Sequence, residues 1–362
     1  MKKMSIVASI CVLLVLGIVY WFQQKETAAA VSAQQGEEKK KQEMTLFVDD
    51  LLKESHFKGT VLLVKNRENY YEQAYGYANK EQKIKNSVEM AYPVASVQKS
   101  MTAILVEQLV SEGKISYKET LDKFYPDIDY ADQITIRDLL NQSSGIDMDE
   151  IAPAKLLTSQ REQLDFVLSE MTVTEDHSFL YTNANYTLLA GILSMVSGKS
   201  YEELFTQRII QPLHLGETYF WDQLPEKETV PLSYVYDEAE EVDYVPFWDS
   251  FPDSKPLFSS LLGAGNLFMS ASDLWRVQKA MKNGRLLTED RYAEMTDIVT
   301  AGYSSGLWLS DGQKVVSGSL GGYTTMVYGE ETNENLVILI SNQQGILDTG
   351  SLAESIYEAM TH

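Results

Sequence analysis

The sequence predicts an α+β protein in which an antiparallel sheet built from both chain ends is flanked by helices. Three observations predict it. Short β-branched and aromatic runs occur near residue 60 and again after residue 313. Long apolar runs stopped by glycine fill the interval. Neither a fixed-period repeat nor a second linker divides residues 46–362.

The elements follow in chain order. Lys2 and Lys3 precede an almost unbroken apolar run, Met4 to Phe22, of 19 residues. At about 1.5 Å per residue, a helix of that length crosses a hydrocarbon core. Tyr20 and Trp21 stand where an interfacial aromatic belt would lie, and the leading lysines favour an N-in, C-out orientation. Residues 1–23 are therefore expected to form a membrane anchor or a signal segment. A retained single-pass anchor holds the remainder outside the cell; cleavage within Ala28-Ala29-Ala30-Val31-Ser32-Ala33 would secrete it. Residues 24–45, polar and without aromatics, read as a solvated linker.

Leu46–Leu52 reads as a short amphipathic helix, and Thr60–Val64 with Tyr70–Tyr77 as a strand pair turning near Asn66. Ser96–Ser111 is a helix with apolar residues on most sides, ended by Gly113 and hence buried. Ile134–Leu140 begins another helix, and Asn185–Val196, stopped by Gly198, forms a third. Ser270 caps a fourth, with Asp273 three residues on. Strands are expected at Lys314–Val316, Tyr323–Tyr328 and Leu336–Ser341, and a helix at Ser351–Met360. Tyr234–Phe258, rich in rings and acids, reads either as a surface loop with its rings turned inward or as a cleft wall for a glycan or polyol polymer.

Composition narrows the function. Thirty Lys and Arg against 52 Asp and Glu give a net charge of −22, which repels nucleic acid. Six lysines and four glutamates in residues 1–45 give +2, leaving −24 on the remainder. The single cysteine, Cys11, excludes an intramolecular disulfide and a cysteine-based metal cluster. His56, His177, His214 and His362 lack metal-ligand spacing, so neither a metal nor a cofactor is expected. Asp127, Asp129 and Asp132 lack the glycine and terminal glutamate of a calcium loop.

Three short motifs carry chemistry. In Ser96-Val97-Gln98-Lys99, serine and lysine share a helix face and can act as nucleophile and base without a histidine. The same spacing recurs at Ser55/Lys58 and Ser111/Lys114, but only Ser96 opens a buried helix. Tyr181-Thr182-Asn183 offers a phenol to shuttle a proton and an amide to hold a carbonyl, with Tyr77-Ala78-Asn79 as its decoy. Val316-Ser317-Gly318-Ser319 enters a strand whose edge can present the Ser319 N–H as an oxyanion donor beside that of Ser96.

These motifs in this order resemble the serine β-lactamase and penicillin-binding protein superfamily, in its class C-like branch. The likeness extends to Gly76-Tyr77-Ala78-Asn79, to Ile134 through Gly145, to Pro212-Leu213-His214-Leu215-Gly216 and to Gly263-Ala264-Gly265-Asn266-Leu267. It implies an all-helical lobe inserted into the sheet domain over residues 46–362. By the resemblance Ser96 is acylated, Lys99 is its base and Tyr181 relays protons. Asn183 orients the substrate, while Ser317, Gly318 and Ser319 bind it.

One departure bears on the substrate. Relatives usually carry Lys or His where this chain has Val316, and a cation there helps to recognise a carboxylate. Lys314, two residues earlier on the same strand face, is the candidate substitute. Gln142 stands where many relatives carry histidine. The branch this chain most resembles includes membrane-tethered Gram-positive members that remove D-alanyl esters from teichoic acids, substrates that offer an ammonium group. A serine hydrolase of a D-alanyl-bearing cell-wall polymer is therefore expected first. A D,D-carboxypeptidase acting on peptidoglycan, or a β-lactamase, comes second. A catalytically silent wall-binding or sensor protein comes third.

Overall fold

A computed structural model describes residues 24–25, 34–225 and 230–361. Two compact units divide the chain, Met1–Leu51 and Leu52–His362. In the first, the backbone is helical over 34–51, so the helix expected from Leu46 starts inside the segment read as a linker. Its Glu, Lys and Gln are good helix formers, and Lys39 pairs with Glu43 one turn on at 3.5 Å. The anchor expected over Met4–Phe22 lies outside the described residues. Among the described residues no helix is long and apolar enough to cross a membrane.

The second unit is a mixed helix and antiparallel-sheet structure. Strand Lys58–Lys65 pairs antiparallel with Leu336–Gln344, Val61 opposite Leu339, so the two ends of the unit share one sheet. Glu68–Tyr75 covers the outer side of Lys58–Lys65 through a two-residue turn. Asn66 and Arg67 there have φ of 54° and 64°, the turn that matches strand twist. On the other side follow Tyr323–Glu330, Gln313–Leu320, Leu307–Ser310 and Tyr303–Ser304, all antiparallel. Every residue from Leu336 to Gln343 is buried, so both sheet faces are covered. The C-terminal helix Thr349–Thr361 packs on Tyr323–Glu330 and Leu336–Gln344, while helix Ala271–Ala280 packs against Lys58–Lys65.

The intervening lobe is built around helix Asn183–Ser197, which meets Gln98–Ser111, Ile136–Leu140, Gln160–Glu170 and Tyr201–Phe205. Gly198 closes this helix in the left-handed conformation. Thr135 and Asp138 form a reciprocal capping box at Ile136–Leu140, and Ser270 accepts from Asp273 N as a cap. Tyr234–Phe258 is not a loop: strands Tyr234–Asp237 and Val242–Pro246 make a hairpin, followed by helix Phe251–Phe258. Trp248, Phe251 and Phe258 pack inward with Phe268 and Tyr323.

Candidate active site

Ser96 lies in the tight turn Ala95–Val97 that leads into helix Gln98–Ser111. Ala95 has φ 46°, a left-handed value that is unfavourable for a residue with a Cβ and marks strain at the serine's doorstep. Lys99, one turn on, is fully buried. Its Nζ donates to Ser96 Oγ at 2.8 Å, Asn183 Oδ1 at 2.6 Å and Ala264 O at 3.1 Å. Nζ thus has three hydrogen-bond partners. Gln98 donates to Asn266 Oδ1 and Thr102 to Gly263 O, so the Gly263–Asn266 stretch clasps the start of the helix.

Thr182 caps helix Asn183–Ser197 by accepting from Ala184 N. That cap sets Tyr181 just outside the helix and Asn183 at its first position. The Asn183 amide is engaged at both ends, since its Nδ2 donates to Glu150 Oε2 at 2.7 Å. The ring centroid of Tyr181 lies 4.9 Å from Lys99 Nζ. Gln142 holds this turn in place: its Oε1 accepts from Thr182 N and from Asn185 Nδ2.

The third motif alternates as a strand should. Lys314, Val316, Gly318 and Leu320 take the buried face, and Ser317 and Ser319 the other. Gly318 has a steric reason: a Cβ there would sit 2.4 Å from Val94 O and 2.7 Å from Ser96 N. Only glycine lets the strand lie against the serine turn. The substitute cation suggested for Val316 fails on this geometry. Lys314 shares the buried face, donates to Gln278 Oε1 at 2.8 Å and does not line the cleft.

Ser96, Tyr181, Ser317, Gly318 and Ser319 thus border one cavity of about 460 Å³. Lys99 and Asn183 lie behind Ser96. The decoys stay apart: Ser55 Oγ donates to Leu52 O, Lys58 pairs with Asp243, Lys114 with Glu112, and Tyr77 N donates to Tyr244 Oη. The hairpin's rings do not border the cavity.

Several cavity residues carry no sequence signal. Glu150 and Asp348 supply carboxylates, Tyr303 and Trp308 supply rings, and Thr324, Thr325 and Met326 come from the neighbouring strand. The hydroxyl and N–H of Ser351 hold the Asp348 carboxyl below the usual carboxylate range. The Ala264 carbonyl had a signal, in the Gly263–Leu267 stretch. Among the described residues, no Lys or Arg borders the cavity. Among the described residues, no group of three or more His, Cys, Asp or Glu is placed to hold a metal ion.

The beta-lactamase family pattern matches residues 44–359. The penicillin-binding-protein-like PbpX of Bacillus subtilis (strain 168) is 28% identical over 320 residues, covering 86% of this chain and 78% of that protein. A teichoic acid D-alanine hydrolase of Staphylococcus aureus is 26% identical over 251 residues, 67% of this chain; the chain spans 58% of that protein's length. The crystal structure of FmtA from Staphylococcus aureus superposes with a TM-score of 0.77 at 23% identity, covering 88% of this chain and 86% of that one.

Proposed function

The chain belongs to the beta-lactamase family and is a serine hydrolase, and on that premise we propose that it removes D-alanyl groups from a cell-wall polymer through an acyl-enzyme on Ser96. One observation carries the choice of substrate. Among the described residues, the cleft lining presents two carboxylates, Glu150 and Asp348, and no Lys or Arg apart from the Lys99 amine behind Ser96, while Val316 is buried at the position of the family's cation. Such a cleft disfavours a carboxylate-bearing peptide or β-lactam and favours an ester or amide that carries an ammonium. The helix N-terminus beside it is already capped by Asp348, so it offers a substrate carboxylate little.

In this reading Ser96 Oγ attacks the D-alanyl carbonyl as its proton passes to the lone pair of Lys99 Nζ, which acts as the free amine. The N–H groups of Ser96 and Ser319 receive the oxyanion. Collapse breaks the ester bond, and the departing polymer hydroxyl takes a proton through Tyr181. Water then attacks the acyl-serine ester, freeing D-alanine and restoring the Ser96 hydroxyl. Asn183 holds Lys99 in place, and Ser317 contacts the substrate from the strand face. Residues 1–23 act as the anchor that keeps this domain outside the cell, near its polymer.

The test is release of free D-alanine from D-alanylated teichoic acid. Wild type is expected to release it and Ser96→Ala to release none; absence of release by folded wild type would overturn the reading. The likeness to a penicillin-binding protein keeps a second reading, D,D-carboxypeptidase or β-lactamase. Labelling of wild type but not Ser96→Ala by a fluorescent penicillin at low dose would favour it.

A further inference from the structure

Glu150, Tyr181, Tyr303 and Trp308 border the same cavity as Ser96, and they form a pattern of their own. The Tyr303 and Trp308 rings lie 5.1 Å apart at 74°, and those of Tyr303 and Tyr181 lie 5.9 Å apart at 86°. Two rings therefore stand nearly perpendicular to a third. Phe179 braces the set, 5.7 Å from both Tyr303 and Trp308. Tyr303 is buried, and that burial pushes its phenol well above the usual tyrosine range, so it stays neutral. Glu150 borders the same cavity: one carboxylate oxygen accepts from the Asn183 amide, and the residue is exposed.

Aromatic faces and a carboxylate are the two chemistries that attract an organic cation, the first through the ring quadrupole and the second by charge and hydrogen bonding. Lys99 Nζ already lies over the Tyr181 ring, 4.9 Å from its centroid. Asn183, to which the sequence resemblance gives the role of orienting substrate, has its Oδ1 on Lys99 and its Nδ2 on Glu150. The group facing the cavity beyond that amide is thus an acid.

We propose that Glu150 with Tyr181, Tyr303 and Trp308 is the seat of the substrate's alkylammonium group, and that this seat makes the enzyme select aminoacyl esters with a free amine. The proposal rests on the hydrolase reading above, from which it takes the acyl group, but its test does not. Binding is measured by calorimetry in the Ser96→Ala protein, where no acylation occurs. The ligands are D-alanine methyl ester and N-acetyl-D-alanine methyl ester, which share the acyl ester but replace the ammonium by a neutral acetamide. The charged ester is expected to bind about tenfold more tightly. Adding Glu150→Gln or Trp308→Leu should shrink the ratio several-fold. Equal affinity for the two esters, or a ratio that neither substitution changes, overturns the seat. Glu150→Gln keeps the proposal testable should Trp308→Leu fail to fold, because Glu150 is a surface residue. A wild type that releases no D-alanine while the binding ratio persists would overturn the D-alanyl polymer reading and leave the seat standing.

Discussion

At the scale of single residues, the cleft depends on one missing atom. Gly318 lies so near the serine turn that a Cβ would meet Val94 O at 2.4 Å and Ser96 N at 2.7 Å, both backbone atoms with little freedom to yield. Gly318→Ala must therefore push the strand away from Ser96 and separate the two N–H groups assigned to the oxyanion. Losing an oxyanion donor costs about 10²–10³ in rate. Gly318→Ala is expected to lower Ser96 acylation by at least about 10² while the protein still unfolds cooperatively. A stopped-flow acylation rate checks it; an unchanged rate would mean that the strand does not supply the donor. Lys99 shows a different economy. Through three hydrogen bonds it organises Ser96, Asn183 and the Ala264 carbonyl together. Lys99→Ala should cut acylation by about 10²–10⁴ and also destabilise by about 1–3 kcal/mol, because buried acceptors are left without donors.

At the scale of elements, the loop before each motif matters as much as the motif. Gln142 Oε1 takes hydrogens from Thr182 N and Asn185 Nδ2, tying the Ser143-Ser144-Gly145 turn to the cap that aims Tyr181. Gln142→Leu should destabilise by about 1–3 kcal/mol in urea unfolding. It should also slow acylation; full activity would show that the cap alone positions Tyr181. Strand Gln313–Leu320 adds a pH signature. Burial, and then the nearby Lys282, push the Lys314 amine down to about 7 from an ordinary value of 10.5, against the opposing pull of Glu331. Between about pH 7 and pH 10 the unfolded chain binds more protons than the folded one, so this group makes stability rise with pH. Below that window both states are protonated and its contribution is flat. Urea unfolding at pH 7, 8 and 9 should show wild type gaining stability relative to Lys314→Met; parallel curves would refute the buried-amine account. These elements also show what can be read from sequence. Ser96 and Lys99 were legible because helical spacing and a terminal glycine place them locally, and Ser270 and Asp273 because a cap is a local motif. Glu150 and Asp348 were not, since two acids among 52 have no spacing that marks them and only tertiary packing brings them to one cavity. The hairpin Tyr234–Pro246 was missed because Glu238-Ala239-Glu240-Glu241 lacks the Asn-Gly or Asp-Gly of a tight turn; Glu241 itself takes φ 54°.

At the scale of the whole molecule, charge and cleft point the same way. Residues after 45 carry −24, and the cavity repeats that sign with Glu150 and Asp348. A field of one sign over a cleft of the same sign raises the local concentration of cationic substrates and steers their encounter. Hydrolysis of a D-alanyl ester removes the cationic group from the polymer, so the product is held less strongly than the substrate and leaves. Such steering acts on encounter rather than on chemistry within the complex. Added salt, with a screening length of about 10 Å at 0.1 M and about 3 Å at 1 M, should therefore reduce kcat/KM for a D-alanyl ester several-fold while leaving kcat nearly constant. For the N-acetylated ester, which has no charge to steer, kcat/KM should be nearly flat over the same range. For a substrate with a carboxylate, salt should relieve repulsion and raise kcat/KM. The sign of the salt dependence thus separates the ammonium-bearing ester from the peptide and β-lactam alternatives. A rise with salt for the D-alanyl ester would show that the acidic surface has no part in choosing the substrate.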